Sequence, residues 1–105
     1  METVSNMAVA NTILNQLGGT GRLIVMIGAK DFTARPGGAT FKWKAEARND
    51  GINCLRISLN SADLYDLEFY RIWGTDAKQM GTISMVHFDQ LVSVFESRTG
   101  LRLSL

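Results

Sequence analysis

The apolar positions near the start of the chain recur with the spacing of one helical face. Ser5 is a residue type that caps helices, and apolar positions further along follow at intervals of three, one and three residues. These positions are Ala10, Ile13, Leu14 and Leu17. Gly18 and Gly19 end the pattern, because glycine takes the left-handed conformation of a helix C-cap without steric cost. The spacing predicts a first helix over residues 5–17.

The middle of the chain alternates between apolar and charged side chains, which is the pattern of a half-buried strand. Residues 41–48 place Phe41 and Trp43 on one face and charged side chains on the other. The charged positions are Lys42, Lys44, Glu46 and Arg48. Residues 49–51, Asn-Asp-Gly, supply the positive φ angles of a tight hairpin, and residues 52–59 alternate again as the return strand.

Two further strands are predicted after this hairpin. A polar turn at residues 60–63 leads into a strand over residues 64–73, in which Arg71 alone among the charged residues falls on the apolar face. Residues 74–81 are polar and predict a loop, and residues 82–86 predict a short edge strand. Strands joined by such short links form an antiparallel meander.

The remaining segments complete the expected fold. The continuous apolar run at residues 22–29 predicts a central strand buried on both faces, and residues 30–38, with a proline and a glycine pair, predict a loop. Residues 87–98 predict a second helix, and residues 101–105 predict a short strand or an ordered tail. We expect a single α+β domain over residues 1–105. Its antiparallel meander of about five strands should carry an N-terminal and a C-terminal helix packed on one face.

The composition is that of a folded domain with almost no net charge. Of the 105 residues, 46% are hydrophobic and 20% are charged, and the formal net charge is +1. This balance gives no overall field toward nucleic acid or anionic lipid. No stretch approaches the roughly 18 apolar residues of a membrane span. With a single cysteine and no secretory signal, the sequence predicts a cytoplasmic protein that does not contact membranes.

The residue types that carry catalysis or bind metals are too sparse to predict an active site. His87 is the single histidine and Cys54 the single cysteine, whereas zinc needs about three or four ligands and a catalytic triad needs a base oriented by an acid. The glycines within residues 18–21 lead from a helix into a predicted strand, the reverse of the order in phosphate-binding loops. We therefore expect no enzyme activity, no metal and no cofactor.

Six cations between residues 30 and 56 are the candidate binding residues. They are Lys30, Arg35, Lys42, Lys44, Arg48 and Arg56. One alternative function is a nucleic-acid-binding module that uses the charged sheet face and the loop at residues 30–39. Against it, Phe41 and Trp43 should point away from the lysines, toward the core. Asp66 and Glu68 should pair with the cations across neighbouring strands, as on a solvated sheet face.

Three segments of the chain resemble small uncharacterised proteins encoded by bacteriophages and prophages. They are Asn11 to Gly19 (NTILNQLGG), Gly28 to Phe32 (GAKDF) and Phe95 to Leu105 (FESRTGLRLSL). The resemblance spans most of the chain and implies a phage accessory protein that acts in the host cytoplasm by binding a host or phage protein. Inhibition of a host defence system is one role that it implies, and a homo-oligomer is left open.

Overall fold

The sheet is an antiparallel meander of five strands, and the predicted α+β class is confirmed. The computed structural model describes residues 2–44 and 51–103. In chain order the elements are helix α1 (Glu2–Gln16), helix α2 (Thr20–Ile27), strands β1 (Lys30–Arg35), β2 (Gly38–Lys42), β3 (Cys54–Leu59), β4 (Tyr65–Trp73) and β5 (Asp76–Val86), a 3₁₀ turn (Phe88–Gln90) and helix α3 (Leu91–Thr99). The strands pair in the order β1-β2-β3-β4-β5. No helix in the described part of the chain is long and apolar enough to cross a membrane.

One face of the sheet packs against the helices and holds the core. The buried residues on this face include Phe41, Leu55, Ile57, Leu67 and Phe69 of the strands, Trp43 just after β2, and Ala10, Ile13, Leu14, Leu91 and Phe95 of α1 and α3. The Phe95 ring lies 6.3 Å from the Phe41 ring and meets the Trp43 ring edge-on at 5.3 Å. Such tilted and edge-on pairs are the preferred aromatic geometries. The apolar face that the alternation predicts is therefore the core face.

Residues 22–29 do not form the buried strand that their apolar run predicts. Most of them belong to α2, in which Leu23 is buried whereas Ile24 and Val25 are 51% and 81% exposed. Gly28 closes the helix at φ 68°, and its N–H donates to the Ile24 carbonyl oxygen. A short apolar run does not separate helix from strand by periodicity, and here the glycine C-cap favours the helix. Within the described residues, three α-helices accompany the sheet instead of the predicted two.

Two segments that the sequence predicts as loops are strands. Residues 30–35 form β1, and Pro36 with Gly37, at φ 70°, makes the two-residue turn into β2. Residues 76–81 form the first part of β5, which spans 11 residues. Both are edge strands. Residues 76–81 are mostly exposed and show no apolar alternation. β1 has a short alternation, in which Phe32 and Ala34 pack against the core, but the proline and the glycine pair that follow favour a loop.

Arg71 is accommodated on the apolar side of β4 because it stays exposed. Its guanidinium carbon lies 5.3 Å from the centre of the Trp73 ring, within the range of a cation–π contact. The same side chain covers Gly51, where an added Cβ would come within 2.8 Å of Arg71 Nε. The charge thus covers the end of the strand and does not enter the core.

The C-terminal segment is an ordered tail over its described residues. The predicted helix over residues 87–98 is present as the 3₁₀ turn followed by α3. No strand follows at residues 101–103, but Leu103 is buried and its N–H donates to the Glu96 carboxylate at 2.7 Å. The prediction for this segment is a short strand or an ordered tail, and residues 101–103 form the tail.

Part of the predicted first hairpin lies outside the described residues. β2 begins at Gly38, three residues earlier than the predicted strand, and ends at Lys42. Residues 45–50, including most of the predicted Asn-Asp-Gly turn, are not described, and neither are residues 104–105. The pairing of β2 with β3 confirms the hairpin as such.

Truncating Phe95 tests the position of the core. Its side chain is 0% exposed, whereas Phe88 in the preceding 3₁₀ turn is 60% exposed and gives a matched control. Phe95→Ala should lower the free energy of unfolding by about 3–5 kcal/mol, because it leaves a cavity. Phe88→Ala should cost less than about 1 kcal/mol. Chemical denaturation followed by circular dichroism measures both, and a cost below about 1 kcal/mol at Phe95 would contradict this core.

Candidate functional site

The second face of the sheet is polar and partly charged, and we call it the open face. Side chains in register on neighbouring antiparallel strands point to the same side, so they form rows across the sheet. One row contains Lys42, Cys54, Tyr70 and Gln79, the next contains Thr40, Arg56, Glu68 and Thr82, and a third contains Gly38, Ser58 and Asp66. These three rows, with Lys30 and Arg35 of β1, define the open face.

The structure brings four of the six predicted binding residues to the open face. They are Lys30, Arg35, Lys42 and Arg56. Lys30 is exposed at the start of β1, opposite Lys42 in register, and Lys44 is exposed beyond the end of β2. Arg48 lies outside the described residues.

Arg35 reaches across β2 to the third strand of the sheet. Its Nη2 donates a hydrogen bond to Ser58 Oγ at 2.6 Å. Gly38 lies between them in register, and a Cβ there would collide with the Ile57 carbonyl oxygen and lie 2.9 Å from Arg35 Nη2. The missing side chain of Gly38 therefore leaves the space through which the guanidinium passes.

Arg35 and Arg56 are close enough to repel each other. Burial lowers the pKa of Arg35, and the positive charge of Arg56 lowers it further, whereas the charge of Glu68 raises it. Arg56 Nε lies 3.6 Å from Glu68 Oε1, which confirms the predicted ion pair between β3 and β4. Arg35 Nε is buried and has no hydrogen-bond acceptor among the described residues.

Asp66 has a structural role on the same face. Its Oδ1 accepts hydrogen bonds from Asn60 Nδ2 and from the Met85 N–H, each at 3.1 Å. Met85 has φ 61° where the register of β5 shifts, so the carboxylate satisfies a backbone group that the ladder leaves unpaired. The predicted pairing of Asp66 with a cation is not formed with any described residue.

Two shallow depressions lie side by side on the open face. The first, of about 380 Å³, is lined by Arg35, Thr40, Cys54, Arg56 and Tyr70, with Ile72 and Ala77 at its edge. The second, of about 440 Å³, is lined mainly by Arg56, Ser58, Asp66, Glu68, Thr82 and Ser84. Because Arg56 lines both, a basic surface and an acidic surface adjoin at this residue.

Tyr70 is a site residue that the sequence analysis did not assign. It lies on the open face between Cys54 and Gln79, and Gln79 Nε2 donates to its hydroxyl oxygen at 3.4 Å. The buried residues Leu67 and Phe69 share a strand with it, and strict alternation places Tyr70 opposite Phe69. Extending the alternation to the end of β4 would have identified this aromatic ring.

The groups that could take part in covalent or metal chemistry remain apart. In the described ranges, 2–44 and 51–103, no three His, Cys, Asp or Glu side chains form a group that could hold a metal ion. His87 is exposed before the 3₁₀ turn. Cys54 is buried, and burial raises the pKa of its thiol, although Lys42 and Arg56 act in the opposite direction. A thiol that keeps its proton is a weak nucleophile.

Comparison with known proteins was made with family models, curated proteins and solved structures. None of them matches this chain. The charges, the shape and the aromatic side chain of the open face therefore guide the functional interpretation.

Substitution of Gly38 tests the crossing of Arg35 over β2. Gly38→Ala should lower the free energy of unfolding by about 1–3 kcal/mol, because the new methyl group collides with backbone and guanidinium atoms. Gly21→Ala is the matched control, since a Cβ at Gly21 has nothing within 4 Å. Since Gly21 lies in α2, this change should not destabilise the fold and could stabilise it by up to about 1 kcal/mol. Equal effects in urea denaturation would contradict the tight approach at Gly38.

The thiol of Cys54 should make stability fall at alkaline pH. Its pKa is raised in the folded state, so the unfolded chain loses this proton first, and folding becomes less favourable above a pH of about 8.5. Burial also raises the pKa of Tyr65, which extends the loss above a pH of about 10. Denaturation at several pH values should show a smaller loss for Cys54→Ala between pH of about 8.5 and 10. An unchanged pH dependence would contradict the assignment to Cys54.

Proposed function

We propose that the chain is a non-enzymatic phage accessory protein that binds a host or phage protein through the open face of its sheet. The observation that carries the proposal is the cluster of Arg35, Arg56 and Tyr70 around one depression on that face. Arginine and tyrosine dominate the residues that contribute most to protein–protein binding. Inhibition of a bacterial defence system is one activity that such binding would produce.

The charge pattern of the open face favours a protein partner over nucleic acid. Glu68 on β4 lies next to Arg56 in register, so a negative charge adjoins the two arginines. Asp66 lies on the same strand as Glu68. A run of phosphates laid across β3 and β4 would meet both carboxylates and be repelled. A protein surface can present both charge signs and complement the two depressions at once.

Nucleic-acid binding is the second candidate, and one observation favours it. Arg35, Lys42 and Arg56 share the open face with Tyr70, whose ring is an aromatic group beside cations on a sheet surface. Sheet-face readers of single strands combine these two residue types. The carboxylates on β4 weigh against it.

Charge reversal at Arg56 tests the leading proposal. Tagged wild-type protein should capture a defined protein from bacterial lysate, and Arg56→Glu should reduce the captured amount at least about tenfold, as expected for a hot-spot arginine. Arg22→Glu makes the same charge change at an exposed residue of α2, whose Leu23 faces the core, and should leave capture unchanged. Circular dichroism confirms that both variants are folded. Equal capture by all three proteins would contradict binding through the open face.

Fluorescence anisotropy with single- and double-stranded oligonucleotides tests the second candidate. The leading proposal predicts no tight binding at physiological ionic strength. If nucleic acid were the partner, the logarithm of the affinity should fall linearly with the logarithm of the salt concentration. The slope should be about 0.7–0.9 per phosphate contact. The double variant Lys42→Glu with Lys44→Glu should then abolish binding. Tight, salt-sensitive binding that this variant loses would favour the second candidate.

A further inference from the structure

The neighbourhood of Arg35 has more positive than negative charge. Arg35 and Arg56 interact by repulsion, and Glu68 is the acidic group whose charge acts on Arg35. Glu68 makes its ion pair with Arg56, at 3.6 Å. Arg35 donates instead to a neutral hydroxyl, that of Ser58. One carboxylate therefore faces two guanidinium groups, and a second anion would balance the pair.

The depression beside the two arginines offers space and further polar groups. Its volume of about 380 Å³ falls near the lower end of the range for small-ligand sites, about 300–1,000 Å³. Thr40 lies opposite Arg56 in register and lines the same depression, so it adds a hydroxyl to that lining. Tyr70 and Ile72 add apolar surface on β4. These groups suit a carboxylate that is carried on a short apolar stem.

The neighbouring depression determines which anion fits. Glu68 and Asp66 line it, and Arg56 lines both depressions. A phosphate group has higher charge than a carboxylate, and a polyphosphate chain would extend toward these two acids. A single carboxylate needs only the two arginines and leaves the acidic depression to other groups of the partner.

We infer that Arg35 and Arg56 bind a carboxylate of an acidic segment of the partner protein, an Asp or Glu side chain that enters the depression on the open face. The inference rests on the proposed function and specifies the chemistry that the partner presents there. Glu68 on β4 contacts Arg56 from one edge of β3. Arg35 comes from the other edge, across β2, and is held by Ser58. Two guanidinium groups around one carboxylate provide charge-assisted hydrogen bonds.

The test uses a hexaglutamate peptide, inorganic phosphate and a hexalysine peptide as probes for the full chain. NMR follows the Nε–H signals of the arginines during each titration. Hexaglutamate should give saturable shifts at Arg35 and Arg56, and hexalysine should give none. Arg35→Gln and Arg56→Gln should each weaken hexaglutamate binding by about tenfold or more, because each removes a charged hydrogen-bond donor. Arg22→Gln, with the same loss of charge on α2, should bind as the wild type does.

Three results would overturn the inference. They are the absence of saturable shifts with hexaglutamate, equal binding by Arg22→Gln and Arg56→Gln, and tighter binding of inorganic phosphate than of hexaglutamate at the same signals. Arg56 is exposed, so its variant remains informative even if Arg35→Gln does not fold. The proposed function fails separately. Capture that Arg56→Glu abolishes, together with no hexaglutamate binding, would retain the open face as an interface and reject the carboxylate site.

Discussion

The register shared by β2, β3 and β4 is the constraint on which the core and the open face both depend. Phe41 lies opposite Leu55, and Leu55 lies opposite Phe69, so one row of large apolar side chains crosses the three strands. The adjacent row on the other face carries Arg56 and Glu68. Because side chains alternate with a period of two, a slip of one residue on β3 would bury Arg56 and expose Leu55. Burying an unpaired charge costs several kcal/mol, about as much as a small domain's whole stability, so the register is strongly specified.

The last strand is attached to this arrangement by a charged side chain from α3. Arg98 Nη2 donates to the Met80 carbonyl oxygen at 2.8 Å, and its guanidinium carbon lies 5.9 Å from the centre of the Phe69 ring. Gly81 leaves room for it, since a Cβ there would lie 3.3 Å from Arg98 Nε. The register of β5 shifts beside Met80 and again near Met85, and such bulges interrupt the row of backbone groups at a sheet edge. A partner strand would therefore pair poorly with β5, which favours the open face over this edge as the interaction surface.

The sequence predicted those parts of the fold in which burial imposes a periodic pattern. The face of β2, β3 and β4 that holds Phe41, Leu55 and Phe69 follows from alternation, because each of these strands separates core from solvent. The edge strands are predicted only in part. Residues 82–86 of β5 are a predicted strand, whereas the mostly exposed residues 76–81 and the short alternation of β1 do not identify a strand. The apolar run of α2 predicts a strand, because eight residues are too few for periodicity to distinguish the two structures.

The candidate site was predictable residue by residue but not as a cluster. The alternation of the predicted strands places Arg56 and Lys42 on the charged face. Arg35 falls in a predicted loop, so the sequence does not place it on that face. Its approach to Ser58 depends on β1 being a strand and on Gly38 having no side chain, neither of which a pattern of apolar positions reveals. Tyr70 required the alternation to be followed to the end of β4.

The environment of Arg35 carries local costs that support the proposal of binding there. A buried N–H without an acceptor costs about 1–3 kcal/mol, and the nearby charge of Arg56 adds repulsion. The hydrogen bond from Arg35 to Ser58 and the half-exposed position of the side chain moderate these costs. Local costs of this kind concentrate at functional sites. An anion between the two guanidinium groups would relieve the repulsion of Arg35 and Arg56. The proposed carboxylate would therefore bind where the charges of the open face are least balanced.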